Sequence, residues 1–149
     1  MSGFTAPHCG SLRASDEGRK VELYGWVARR RDHGGLIFID LRDRWGAVQV
    51  VFRSIQARTL ASQLRLEYVV TVKGVVSRRP AGSENADMPT GEVEVTAENL
   101  VIMSQAKTPP FPIEDATQSD ESLRLKYRYL DLRRPRMQQI LELRHRVNK

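Results

Sequence analysis

Gly25-Trp26-Val27-Ala28-Arg29-Arg30-Arg31-Asp32-His33-Gly34-Gly35-Leu36-Ile37-Phe38-Ile39-Asp40-Leu41-Arg42-Asp43 carries an alternation that puts an aromatic ring on a polar strand face. Ile37, Ile39 and Leu41 form the apolar set. Successive side chains of a strand point to opposite faces, so Phe38 shares its face with Asp40 and Arg42. A ring held there, beside three arginines, suits a nucleic-acid base: every base has a π face to stack, and arginine supplies donors for phosphates and base edges. The alternative is that both faces are covered and Phe38 is ordinary core.

With 149 residues, 40% of them hydrophobic, the chain can hold one compact domain with a real core and a tail. The net charge of +6 is unevenly placed. From residue 121 to 149 there are nine basic and three acidic residues, while residues 1–120 hold fifteen of each sign. Bulk charge therefore says nothing about the first domain, and the local arginine cluster has to carry the case. Cys9 is the sole cysteine, so no internal disulfide can form and no second thiol is present for a metal cluster. No apolar run reaches signal-peptide or membrane-spanning length, and a cytoplasmic location is expected, with no membrane association.

Five runs before residue 105 alternate like strands. Val21–Val27 is the first, with Gly25 a place for a bulge, and a polar Arg29–Gly35 loop joins it to Leu36–Leu41. Ala47–Phe52 follows, with Val48, Val50 and Phe52 inward and Gln49 outward beside Phe38. Ser54 then caps a helix expected over 54–66, with Leu60, Ala61 and Leu64 on its buried face. Tyr68–Val76 and Gly91–Thr96 complete the set across a loop, Ser77–Thr90, rich in Arg, Pro, Gly and Ser. Three strands, a helix and two strands is the order of an OB-fold, an all-β, five-stranded Greek-key barrel that closes its own edges and binds oligonucleotides. The expected domains are the barrel over 1–105, a linker over 106–122 that is semi-stiff at Pro109-Pro110, and a helical segment over 123–149. Met137, Ile140, Leu141 and Val147 share one side of the last helix, which stops without a capping signal, as if the chain were cut from something longer.

Several motifs, in order, resemble the bacterial-type aspartyl-tRNA synthetases. They are Cys9-Gly10-Ser11-Leu12-Arg13, Gly25-Trp26-Val27, Arg29-Arg30-Arg31-Asp32, Leu36 to Arg44, Thr90 to Val95, and Leu123-Arg124-Leu125-Lys126-Tyr127-Arg128-Tyr129-Leu130-Asp131-Leu132-Arg133-Arg134. Lysyl and asparaginyl enzymes share the barrel; the triple arginine with Asp32 and the Leu36–Asp40 run look aspartyl. The resemblance implies an N-terminal anticodon-binding domain, a hinge and the first helix of a class II catalytic domain belonging to a homodimer. The parent would use ATP and Mg²⁺ to attach aspartate to tRNA(Asp), with tRNA(Asn) left open as a second substrate. This chain is then expected to hold no catalytic residue, cofactor or metal site, and to be inactive in aminoacylation by itself. A free-standing OB module for single-stranded nucleic acid, or an accessory related to synthetases, are the competing readings.

By the same resemblance, Phe38 stacks on the central anticodon base, a uridine, while Gln49 and Arg31 reach its Watson–Crick edge. The chemistry agrees: uracil offers two carbonyl acceptors around an N–H donor, matched by a carboxamide and an arginine fork. Glu94, on the strand face opposite Val93 and Val95, is expected to be accessible and to take the paired N–H donors of guanine at the first position. Arg29 and Arg30 would meet phosphate, or water only. Arg65, Arg79, Gly82 and Asn85 are further candidates. His33, with Gly82, would mark enzymes that charge both tRNA(Asp) and tRNA(Asn), the alternative being a solvated loop histidine. Asp40 and Asp43 are read as partners of nearby arginines, and no His/Cys/Asp cluster has metal-ligand spacing.

Overall fold

The computed structural model describes residues 4–149. Five strands form a closed barrel, β1 (Lys20–His33), β2 (Leu36–Asp43), β3 (Gly46–Phe52), β4 (Val69–Arg78) and β5 (Val93–Ser104), in the spatial order β1-β2-β3-β5-β4. Four of the pairings are antiparallel and β3–β5 is parallel. Helix α1 (Ile55–Ala61) connects β3 to β4. The fold is the five-stranded barrel with an inserted helix that the order of runs predicts.

Alternation builds the core. Val21, Leu23 and Val27 of β1, Ile37, Ile39 and Leu41 of β2, and Val48, Val50 and Phe52 of β3 all point inward and are buried. Val70, Val72 and Val76 of β4 and Val93, Val95, Ala97 and Leu100 of β5 complete the lining. Each buried Val, Leu, Ile or Phe among them stabilises the fold by roughly 1.5–3 kcal/mol relative to an exposed one. Cys9 and Leu12, from the N-terminal segment, join the same cluster.

Two bulges reset this parity. Between Val27 and Arg29 the register with β2 slips by one residue, so Val27 faces Leu41 but Arg29 faces Asp40. The expected bulge at Gly25 is not there. Gly25 pairs regularly with Val70, and a Cβ on it would lie 2.5 Å from the Arg42 carbonyl oxygen, so glycine answers a close strand approach. A second slip between Lys73 and Gly74 moves the inward set of β5 from odd to even numbers, from Ala97 to Leu100. A one-residue slip exchanges the two faces of a strand.

Other expectations are corrected. Arg29–His33 belong to β1 and pair with β2, leaving only Gly34 and Gly35, both at positive φ, as the turn. The two-glycine turn, which lets the strands pair right up to it, accounts for that extension despite low strand propensity. Helix α1 stops at Ala61, and its buried face is Ala57 and Ala61, with Leu60 43% exposed. Its Ser54 cap is as expected, accepting from the Ala57 amide at 3.1 Å. β5 begins at Val93 and runs to Ser104, well beyond Thr96, because β4 offers a full antiparallel partner.

The chain divides into two compact units, one ending at Thr108 and the other spanning Pro109–Lys149. The second holds α2 (Glu121–Lys126), α3 (Arg128–Asp131) and α4 (Pro135–Asn148). Phe111 and Ile113, inside the stretch expected as a linker, are buried with Leu130 in a small cluster flanked by Leu123 and Tyr127. Asp131 is fully buried and accepts from Arg134 Nε at 2.7 Å, with Arg128 as a further partner. The Asp115 carboxylate caps α4, both oxygens accepting from the Arg136 amide at 3.1 Å. No helix among the described residues is long and apolar enough to cross a membrane.

Candidate nucleic-acid interface

The bulge after Val27 decides which arginines meet Phe38. Carried forward without it, the β1 alternation would put Arg29 and Arg31 on the core side and Arg30 beside Phe38. The slip reverses this: Arg31 pairs with Phe38 and Arg29 with Asp40 on the outer face, while Arg30 falls opposite the buried Ile39. Phe38 is half-buried on that outer face, next to Val51 of β3.

A concavity of about 680 Å³ opens around it. β1 contributes Arg31, Asp32 and His33; β2 contributes Leu36 and Phe38; Gln49 and Arg53 come from β3 and the residue after it. Arg79, Pro80, Ser83 and Asn85 enter from the β4–β5 loop, and Glu94 from β5.

Along the same outer face runs a continuous polar chain. Arg31 Nη2 donates to Asp40 Oδ1 at 2.8 Å and to Gln49 Oε1 at 3.1 Å. Gln49 Nε2 donates to Glu94 Oε2 at 2.8 Å, and Arg53 Nη2 donates to Glu94 Oε1 at 2.9 Å. Gln49 and Glu94 are 7% and 1% exposed, so the expectation of open side chains is corrected for both. Both are outer-face residues, but a carboxylate and a carboxamide that satisfy each other tolerate burial. The arrangement is preorganised, with every charged member answered by an opposite charge or a hydrogen bond.

Arg79 is buried as well and donates from Nε to the Val93 carbonyl at 3.0 Å. Burial lowers its pKa from the ordinary value, against the attraction of Asp40 and Glu94; a guanidinium nevertheless keeps its charge. The loop carrying Asn85 is held by Thr90, which donates to the Ala47 carbonyl at 2.7 Å, and by the Asn85 amide on the Gly91 carbonyl at 3.1 Å. A Cβ on Gly91 would sit 1.7 Å from the Asn85 carbonyl oxygen. Only glycine permits that approach.

Of the predicted residues, Arg31, His33, Phe38, Gln49, Arg79, Asn85 and Glu94 come together around this concavity. Arg29 is exposed on the outer face but does not line it, and Arg65 lies exposed after α1, away from it. Gly82 is at φ +83° in the exposed loop, also outside the lining. Arg30 lies on the other side of the hairpin. Asp43 is not an arginine partner: it accepts from the Cys9 and Trp45 amides, each at 2.7 Å. Arg53 was missed, although the parity of Gln49, Val51 and Arg53 along one face would have found it.

A family model described as an OB-fold nucleic acid binding domain matches residues 21–103, more than half of the chain. The chain belongs to this family. Among its relatives, it is 57% identical over its whole length to an aspartate–tRNA(Asp/Asn) ligase of Moorella thermoacetica and 54% identical to one of Halothermothrix orenii. It covers 25% and 26% of those proteins, so it spans about a quarter of the length of the curated relatives it matches. Among solved structures, the asparaginyl-tRNA synthetase of Pyrococcus horikoshii with asparaginyl-adenylate is similar at a TM-score of 0.71 and 30% identity, over 88% of this chain and 29% of that one. The aspartyl-tRNA synthetase of Entamoeba histolytica shares the fold at a TM-score of 0.82 and 17% identity, over 95% and 35% of the two chains. The barrel and its residue order are thus those of an OB-fold anticodon-binding domain.

Proposed function

We propose that this chain reads the anticodon of tRNA(Asp) and tRNA(Asn) within an aspartate–tRNA ligase. The observation that carries the reading is the polar chain Asp40–Arg31–Gln49–Glu94–Arg53 on the same face as a half-buried phenylalanine. The ring supplies a stacking platform that accepts any base. The Gln49 carboxamide and Arg31 fork meet the edge of a central uracil, and Glu94 meets the paired donors of a guanine beside it. For a base to reach them, contacts within the chain are exchanged rather than created, which makes mismatches costly because buried groups are then left unpaired.

The names of the relatives, which couple Asp and Asn, support activity toward both tRNAs. His33 lines the concavity at the hairpin end and is the residue we assign to the third anticodon position, where the two anticodons differ. Gly82, in the exposed loop that carries Ser83 and Asn85, is assigned with it. The parent ligase would be a cytoplasmic homodimer that uses ATP and Mg²⁺. No group of three or more His, Cys, Asp or Glu among the described residues is arranged to hold a metal, and no step through Mg²⁺ is assigned to this chain.

The test is competition binding of anticodon stem-loop RNAs, each with one anticodon base changed, to the 149-residue chain. Strong preference for guanine then uracil at the first two positions, with tolerance at the third, supports the reading. Equal binding of all variants would replace it with a sequence-indifferent single-strand binder. His33→Leu is expected to lower binding of the tRNA(Asn) stem-loop more than that of tRNA(Asp).

A further inference from the structure

Among the described residues, two buried side-chain polar atoms have no hydrogen-bond partner, Nε of Arg30 and Nε of Arg58. Both arginines line one concavity of about 480 Å³ on the face of the β1–β2 hairpin opposite Phe38. Arg30 is there because the bulge turns it to the Ile39 side, and Arg58 arrives from α1. One other nitrogen of each is engaged. Arg30 Nη2 meets both Asp32 oxygens, at 3.1 and 2.9 Å, and Arg58 Nη1 donates to the Gly35 carbonyl.

A buried N–H without an acceptor is rare in a folded protein and calls for a partner. Here the two orphans belong to the same side-chain type, and both arginines line the same hollow. The Nε–H and the neighbouring Nη–H of a guanidinium lie in one plane and suit two oxygens of one oxyanion. Two arginines against one Asp32 leave a single positive charge, which fits a singly charged phosphodiester. Asp32 and Leu36 line this hollow and the Phe38 concavity alike, so the two meet at the hairpin tip.

We propose that Arg30 and Arg58 together bind one phosphodiester of the RNA strand whose base stacks on Phe38, the strand crossing the hairpin tip between the two hollows. This rests on the RNA-binding reading above and extends it to α1, which contributes no residue to the Phe38 concavity. Phosphate contacts set register without reading sequence.

The experiment titrates the chain with the anticodon stem-loop RNA at several salt concentrations, using RNAs in which a methylphosphonate neutralises one phosphate at a time. Arg58→Gln is expected to reduce the slope of log affinity against log salt by about one, equally for every anticodon sequence. One phosphate whose neutralisation weakens wild-type binding should have no effect on Arg58→Gln, and the same phosphate none on Arg30→Gln. Arg58→Lys keeps the charge and should retain the slope. An unchanged slope in Arg58→Gln, or a loss of slope shared by Arg58→Lys, would overturn the proposal. Phe38→Ala separates it from the base-stacking reading: that variant should lose affinity with the slope intact, and failure to lose affinity counts against stacking alone.

Discussion

Gln49 of β3 and Glu94 of β5 stand on one rung of the parallel strand pair and share a 2.8 Å hydrogen bond, in a barrel whose other pairings are antiparallel. Closure of the barrel therefore creates the contact. Neither residue reaches the other through a loop, and their relative placement is as rigid as the sheet.

Removing the ring at Phe38 tests the platform. Phe38→Ala is expected to weaken RNA binding by about 1–3 kcal/mol, by a similar amount for every anticodon base. Fluorescence anisotropy with stem-loops differing at the central base reads this directly, and a loss confined to one base would contradict the assignment of selectivity to other residues.

Gln49→Ala should act on both stability and selectivity. It leaves Arg31 and Glu94 each short of a partner, so the unfolding free energy measured in urea should fall by about 1–3 kcal/mol, with a lower midpoint. The preference for central uracil over cytosine should narrow in the same variant. An unaltered preference would mean that the carboxamide serves the fold alone.

Gly91→Ala tests the rim of the concavity. The added Cβ would meet the Asn85 carbonyl 1.7 Å away, and the loop has to move. Destabilisation above about 1 kcal/mol is expected, together with weaker RNA binding, because Asn85 and Ser83 line the site from that loop. Gly34→Ala, where nothing lies near the new atom, reports the cost of positive φ alone.

Cys9 gives the pH dependence. Burial, reinforced by the nearby Asp43 carboxylate, pushes its thiol far above the ordinary value of 9.0. The folded state thus keeps a proton that the unfolded chain releases above that pH. The stability this contributes is present below about pH 9 and falls above it by up to about 1.4 kcal/mol per unit. Urea midpoints followed into the alkaline range should decline, and Cys9→Ala should flatten that decline.

The alternation of Ile37, Ile39 and Leu41 made β2 and the outward Phe38 legible, because a strand's period is local. The bulge at Ala28 was not, since nothing in the Val27–Arg29 composition marks it; the hairpin's pairing with β2 imposes it. Glu94 reads as a solvated strand residue because its covers, Gln49 and Arg53, come from more than forty residues away. Arg53 sat in plain view by parity, but its place just before the Ser54 cap disguised it as turn. The candidate site was legible residue by residue, and its burial was not.

Neighbouring strands in a sheet run about 4.8 Å apart, whereas successive nucleotides along a duplex rise about 3.4 Å. On the reading proposed above, two adjacent bases presented to Gln49 and Glu94 would have to be prised open to match that wider ruler. A loop already splayed would then fit at once, and a rigid helical stack would be rejected on length before any donor or acceptor is compared.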